Sequence, residues 1–381
     1  MVRRGRPRVA GLPADLATIL RDVGSLVAME AALMALSALV AAGFAEWYVA
    51  GAFVAAAMTT AAVGLGARRR FAGAPAPLMK HGMIIAAGGW FATAAFGALP
   101  FLLSAHAVPA NVAAASVPAG ADYGSSLWYF RDPLHALFES MSGWTGSGLT
   151  MAVHEQTLPR GLQWWRSLTQ WVGGVGVVVL TVSILARPGS GSYALYRSEA
   201  RERKIHPSVV STVRTVWKIF LLYSALAVVA LFVAIRLSPY GATVSLGETA
   251  WQALNHAMTG LTTGGFSVTD NSIATYNSPL VESVLLPIMI LGAIAFPVHY
   301  VFLRDRSLRE LLSDLQTRWL LLLLVAGVCV LSFQNVLSVA AVPDAFATQS
   351  FLPLSVPTLG GGQLDAIRDS TFQWVSALSC T

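Results

Sequence analysis

Three short segments of similar pattern recur along this chain, interleaved with long apolar stretches. They are Phe138–Thr150 (FESMSGWTGSGLT), Leu254–Ser267 (LNHAMTGLTTGGFS) and Phe372–Thr381 (FQWVSALSCT). Each has an apolar run of helical character, then Thr, Ser and Gly residues. In the first two these lead to a Gly, and the third ends one residue short of the equivalent Gly. A short apolar helix followed by a small polar loop, between two longer apolar helices, is the layout of a pore loop that enters the membrane and returns.

The apolar stretches set the environment. A membrane helix needs about 20 mostly apolar residues. Seven segments qualify or come close: Ser25–Phe44, Tyr48–Leu65, Met83–Ser104, Leu162–Leu185, Val216–Ile235, Val281–Phe302 and the shorter Trp319–Phe333. Pro133–Ser142, Gly247–Gly260 and Ala366–Leu378 read as pore helices too short to cross. With 12% charged residues against 55% hydrophobic, a soluble domain is excluded, since those average about 25% charged. The expected fold is an all-α polytopic membrane protein: repeated helix–pore loop–helix units, with the first two spans as an extra N-terminal hairpin. Its divisions are 1–80 for the basic segment and hairpin, 81–190 for the first pore repeat, 191–310 for a linker and the second, and 311–381 for an incomplete third.

Loop charge gives the orientation. Arg3, Arg4, Arg6 and Arg8 precede the first span, and Arg68, Arg69, Arg70 and Lys80 follow the second. Arg187, Arg197, Arg201, Arg203, Lys204 and Arg214 follow the fourth, and Arg304, Arg306, Arg309 and Arg318 the sixth. All four groups fall on one side only if the pore helices do not cross, which places them and the N-terminus in the cytoplasm. The net charge of +6 is thereby accounted for by topology, and no nucleic-acid partner is expected. No short apolar core with a cleavage site follows the basic N-terminus, so no cleaved signal peptide is expected.

A cation crossing lipid needs oxygen ligands in place of its hydration shell, and backbone carbonyls of an extended loop supply them. Gly allows the unusual dihedrals and close approach this requires. The filter residues expected on these grounds are Thr145, Gly146, Ser147 and Gly148 in the first segment. In the second they are Thr262, Thr263, Gly264 and Gly265, and in the third Ser379, Cys380 and Thr381. Gly148 aligns with Gly265 as the narrowing position. A single TGSG reads equally well as a helix contact, where small residues allow close packing; repetition favours the pore. Gly173, Gly174 and Gly176 lie inside a span and read as packing positions. Glu139 and Glu248 either enrich cations at the mouth or hydrogen-bond the pore-helix backbone. Arg166, with Trp164, Trp165 and Trp171, is expected near the external start of its span, and Lys218 near a cytoplasmic end where it can snorkel. His256 and His299 read as satisfied polar residues. Neither the histidines nor Cys329 and Cys380 have metal-ligand spacing or suggest a disulfide framework.

The ordered combination resembles the Trk/Ktr/HKT potassium transporters. FESMSGWTGSGLT with LPRGLQWWRSLTQWVGGVGVVVLTVSIL is similar to their first pore repeat. ALNHAMTGLTTGGFSVTD with LPIMILGAIAFPVHYVFL is similar to the second, and the leading hairpin matches the TrkH-like branch. The resemblance implies four repeats around one pseudo-fourfold pore, with Gly148 and Gly265 as filter glycines and K+ as the transported ion, not an enzyme reaction. It also implies a homodimer in a bacterial-type inner membrane and a cytoplasmic, nucleotide-binding, TrkA-like regulatory subunit, with no covalently bound cofactor. Gly146, Ser147 and Gly264 depart from the family's Thr-rich filters, which bears on K+ against Na+ preference. Alternatives are a Na+- or H+-coupled secondary transporter with broken helices, an inactive truncated product, or a membrane enzyme. The last lacks any nucleophile–base pair or metal cluster.

Overall fold

A computed structural model describes residues 8–176, 209–341 and 362–381. The chain forms an all-α, multi-pass membrane fold. Five helices are long and apolar enough to cross a bilayer, or six if a bent pair counts as one span, among the described residues. The helices divide into two compact units, one of residues 1–218 with 268–270 and the other of residues 219–267 with 271–381.

In the first unit a two-residue ladder, β1 (Arg8–Val9) with β2 (Leu12–Pro13), turns at Ala10 and Gly11, both at positive φ, the geometry of a tight hairpin turn. It leads into α1 (Ala14–Gly43), which pairs with α2 (Trp47–Arg70). Small residues bring their backbones together. A Cβ at Gly64 would lie 2.5 Å from the Ala28 nitrogen, and one at Gly24 2.9 Å from the Gly64 carbonyl. Lipid tails are as apolar as leucine, so it is close backbone packing that holds two such helices together. The next span runs as α3 (Met79–Gly97) and α4 (Leu99–Ala107), followed by the short α5 (Ala110–Ala115). Then come α6 (Pro133–Thr145) and α7 (Arg160–Val175).

The α1–α2 turn is fastened to α7. Pro159 at the α7 N-cap has no side-chain acceptor, and Glu46 of the α1–α2 turn does that work. The Glu46 carboxylate accepts from the backbone N–H groups of Arg160 at 2.6 Å and Gly161 at 2.8 Å. It thus satisfies two of the orphan donors at a helix start and sits at the positive end of the dipole. Burial raises the Glu46 carboxyl above its usual range, opposed by those two N–H groups.

The second unit takes up α8 (Val209–Leu237) from residue 219 onward. It continues with α9 (Leu246–Leu261), α10 (Pro279–Ala293), α11 (Phe296–Asp305), α12 (Leu308–Ser313), α13 (Leu315–Ala341) and α14 (Gln363–Ser379). Helices α13 and α14 are locked by the Trp374 indole, which covers Gly327 and donates to the Leu323 carbonyl at 3.0 Å, and by a buried Asn335–Ser370 bond of 2.8 Å. Arg368 of α14 reaches α10 and pairs with Glu282 at 2.6 Å.

One expected span differs. Val281–Phe302 is not a continuous helix: α10 stops at Ala293 and α11 restarts at Phe296, with a bend of 111° between Pro279–Ala293 and Val298–Asp305. Pro297 at the start of α11 cannot donate into a continuing helix. His299 covers the break, its Nε2 lying 2.9 Å from the Leu291 carbonyl and its Nδ1 3.3 Å from the Tyr223 hydroxyl. The fourth span is seen as far as Gly176; its expected remainder to Leu185, and Arg187, Arg197, Arg201, Arg203 and Lys204, lie outside the described residues.

Candidate functional site

Two of the three short helices start from side-chain caps. Asp132 caps α6, its carboxylate accepting from the Leu134 N–H at 2.8 Å, with Pro133 in the first position. Ser245 caps α9 by accepting from the Glu248 N–H at 3.1 Å, a Ser-x-x-Glu start. The Glu248 carboxylate accepts from the Gln252 side chain at 2.9 Å, one turn further along α9. At 13, 16 and 17 residues none of the three reaches the length of a full crossing.

Each short helix ends in the same turn. The N–H of Ser147 donates to the Ser142 carbonyl at 3.1 Å, that of Gly264 to Thr259 at 2.9 Å, and that of Thr381 to Ser376 at 3.0 Å. In each case the donor lies five residues beyond the acceptor. The residue before each donor is left-handed: Gly146 at φ 71°, Thr263 at 55° and Cys380 at 62°. This is the Schellman arrangement, which ties up carbonyls at a helix end and reverses the chain. Gly148 at φ 74° and Gly265 at 76° then occupy equivalent places two residues beyond the turn. Gly is freely tolerated in such a conformation, but Thr263, β-branched, carries a steric cost there.

Beyond the turn the segment is braced back to its helix. In the first unit Glu139, nine residues before Gly148, accepts from the Thr150 hydroxyl at 2.9 Å and the Met151 N–H at 2.8 Å. Arg166 of α7 completes the network, with its Nε 2.6 Å from Glu139 and a terminal nitrogen 3.0 Å from the Thr150 hydroxyl. Both charges are wholly buried. In the second unit His256, nine residues before Gly265, meets the Ser267 hydroxyl at 3.2 Å and the Tyr276 hydroxyl at 3.0 Å. Ser267 and Thr150 stand at the same offset from their glycines, so two different chemistries serve one geometric task.

The following helices press on the same point in both units. A Cβ at Gly173 would overlap the Trp144 carbonyl, and one at Gly292 the Leu261 carbonyl. Trp144 and Leu261 both lie four residues before their glycines. Gly173 is therefore a packing position, as expected, and its counterpart Gly292 is one the sequence reading passed over.

Thr145 and Ser147 are exposed, and Gly146 and Gly148 half-buried, all within the first unit. Thr262 to Gly265 and Ser379 to Thr381 are brought together in the second: a Cβ at Gly265 would lie 2.6 Å from the Thr381 carbonyl carbon. Arg166 lies in the first half of α7 and is buried in the pair with Glu139, because a guanidinium at this depth needs a counter-ion. Of the two readings open for Glu139, the hydrogen-bonding one is nearer: it is fully buried, and its carboxylate accepts from Thr150 and Met151 beyond the turn. Their pairing was not legible in the sequence, since 27 residues separate them and no local pattern links the two. Glu155, behind the same segment, is mostly buried, and burial pushes its carboxyl up to about 7 against the opposing pull of Arg166. Nearby, Asp270 accepts from the Gln156 backbone at 3.0 Å and lies 3.1 Å from His154 Nδ1, whose ring stacks on Tyr123.

Residues 81–380 match the TrkH family model, described as a cation transport protein. An uncharacterized cation transporter of Methanocaldococcus jannaschii is 31% identical over 286 residues, 74% of this chain and 52% of the relative. The Trk system potassium uptake protein TrkH of Escherichia coli K12 is 31% identical over 242 residues, 61% of this chain and 47% of the relative. The chain thus spans about half the length of these relatives. The crystal structure of the potassium transporter TrkH from Vibrio parahaemolyticus superposes with a TM-score of 0.68 at 21% identity, covering 95% of this chain and 64% of that one. With its family model matched over most of its length, this chain belongs to the TrkH family of cation transport proteins.

Proposed function

We propose that this chain forms part of a potassium-conducting pore. Thr145–Gly148, Thr262–Gly265 and Ser379–Thr381 line its filter, as parts of the pore repeats 81–190, 191–310 and 311–381. The observation that carries the reading is the same left-handed turn at the same place in three segments, two of them leading to a glycine at positive φ. Relatives named as Trk system potassium uptake proteins support potassium as the ion. Hydrated cations collect outside, exchange water for filter carbonyls and move inward. An inside-negative membrane contributes about 2.3 kcal/mol per charge per 100 mV, so uptake needs no coupled hydrolysis. The word "system" in the relatives' names supports a regulatory partner. We assign that role to a cytoplasmic nucleotide-binding subunit, working with a homodimer in the inner membrane whose N-termini are cytoplasmic.

Gly148→Asp and Gly265→Asp, made separately in the complete natural protein, test the assignment. Each places a carboxylate in the conducting path, and potassium flux should be abolished or its selectivity reshaped while membrane insertion persists. Unchanged flux and selectivity in both variants would overturn it.

A further inference from the structure

A run of hydrogen bonds leads from the head of α9 to the second filter segment. The Gln252 amide nitrogen donates to the Glu248 carboxylate at 2.9 Å and to the Tyr240 hydroxyl at 2.9 Å. The Gln252 oxygen accepts from the hydroxyl of Tyr276, between α9 and α10, at 3.1 Å. The Tyr276 oxygen in turn lies 3.0 Å from His256 Nδ1. His256 Nε2 lies 3.2 Å from the hydroxyl of Ser267, two residues beyond Gly265. Gln252, His256, Ser267 and Tyr276 are all buried, so a bond left unmade here carries the desolvation cost of its polar group. With Gly265 and Thr381, His256 also lines one small cavity, which puts its ring beside the filter segment.

The direction of the whole run follows from its first member. A carboxylate accepts and does not donate, so the Gln252 nitrogen faces Glu248 and the amide oxygen faces Tyr276. The Tyr276 hydroxyl has one proton. Sent to His256, it would leave the Tyr276 and Gln252 oxygens 3.1 Å apart with no proton between them. It therefore goes to Gln252, and the Tyr276 oxygen accepts from the imidazole. Among the described residues the ring bonds two hydroxyls and no acid. A buried imidazolium without a counter-ion is costly, so the ring is neutral and carries its one proton on Nδ1. The partner of one ring nitrogen sets the state of the other: Nε2 is bare and takes the Ser267 proton.

We propose that Glu248, Gln252 and Tyr276 form a hydrogen-bond relay that holds His256 in its Nδ1–H tautomer and, through Ser267, act as positioning residues for the second filter segment. Inverting the tautomer to Nε2–H would exchange donor and acceptor at Ser267, so that its hydroxyl accepts and its proton must turn elsewhere. The first segment needs no such relay. Its brace is the Glu139–Arg166 pair, whose direction is fixed by charge at the spot. In the second segment the brace is neutral, and the charge that orients it stands at the other end of the short helix. The effect on selectivity rests on the filter reading above; the direction of the relay does not.

Two readouts on the complete natural protein in lipid nanodiscs separate these. Solid-state nitrogen NMR of histidine-labelled protein, with the His256 signals identified by their loss in His256→Gln, should show a protonated Nδ1 and a bare Nε2. In Glu248→Ala the Gln252 amide is free to turn over, and the Nε2–H form should appear. An Nε2–H ring in the wild type, or a tautomer unaltered in Glu248→Ala, overturns the relay. In flux assays Glu248→Ala and Tyr276→Phe should each lower K+/Na+ selectivity about threefold to tenfold, the span of one hydrogen bond's net worth. The double variant should be no worse than the poorer single one, because members of one network do not act independently. Additive losses, or unchanged selectivity in both single variants, overturn the positioning role. Should Tyr276→Phe fail to fold, Glu248→Ala, at a half-buried helix start, carries the tautomer and selectivity tests alone. Unaltered flux and selectivity in Gly148→Asp and Gly265→Asp, with the tautomer as expected, would mean that the filter assignment fails while the relay stands.

Discussion

At the scale of single residues, buried charge decides most. Arg166 and Glu139 are each fully enclosed, and a terminal guanidinium nitrogen of Arg166 also holds Thr150. Removing one partner strands the other, which costs about 3–5 kcal/mol. Arg166→Met should therefore lower the thermal unfolding midpoint strongly, and more than the double variant Arg166→Met/Glu139→Leu, which leaves no unpaired charge. Thermal unfolding of both in nanodiscs checks this. Glu155 gives a pH dependence of definite sign. Burial raises its carboxyl from 4.5 to about 7 in the folded protein. The folded state therefore holds a proton that the unfolded chain releases. That contribution is complete below the unfolded value and is lost as pH rises through about 7. Glu155→Gln cannot ionise, so its stability relative to wild type should climb across that window. A pH series of unfolding midpoints with a constant difference would contradict the assignment.

Among the individual elements, the way each of the three short helices ends matters most. The left-handed residue is Gly146 in the first turn but Thr263 in the second. A β-branched residue in this region carries about 1–2 kcal/mol of strain, partly offset in a Thr-to-Gly exchange by the greater chain entropy of Gly. Thr263→Gly should thus leave stability unchanged or slightly raised, whereas Gly146→Val should lower it by about 1–2 kcal/mol. Unfolding midpoints of the two variants should move in these opposed senses, or only the second should move. The turns themselves were legible in the sequence as small-residue runs after a short apolar helix. Their left-handed dihedrals were foreseeable at Gly146, where glycine advertises them, but not at Thr263 or Cys380, where only the folded backbone imposes them. The break between α10 and α11 was likewise hidden. Val281–Phe302 is mostly apolar, and hydropathy does not register whether the restart at Pro297 and the His299 bond to Leu291 interrupt a helix.

For the whole molecule, the proposed pathway is passive. In the complete protein, the reversal potential of the current should track the potassium gradient alone, with no displacement when a proton or sodium gradient is imposed at fixed potassium. A shift with either gradient would instead assign a coupled mode.

The sequence by itself determined the membrane environment, the three short helices and the repeated segments that follow them. These depend on composition and local spacing, and a bilayer enforces them because an unsatisfied backbone group has no water to turn to. Only the tertiary structure decided which buried polar groups meet. Glu139 lies 27 residues from Arg166, and His256 lies 20 from Tyr276. No local pattern links them. Their pairing follows from which helix faces are pressed together, and in a low-dielectric interior that juxtaposition sets whether a polar group is a brace, a cost or a site.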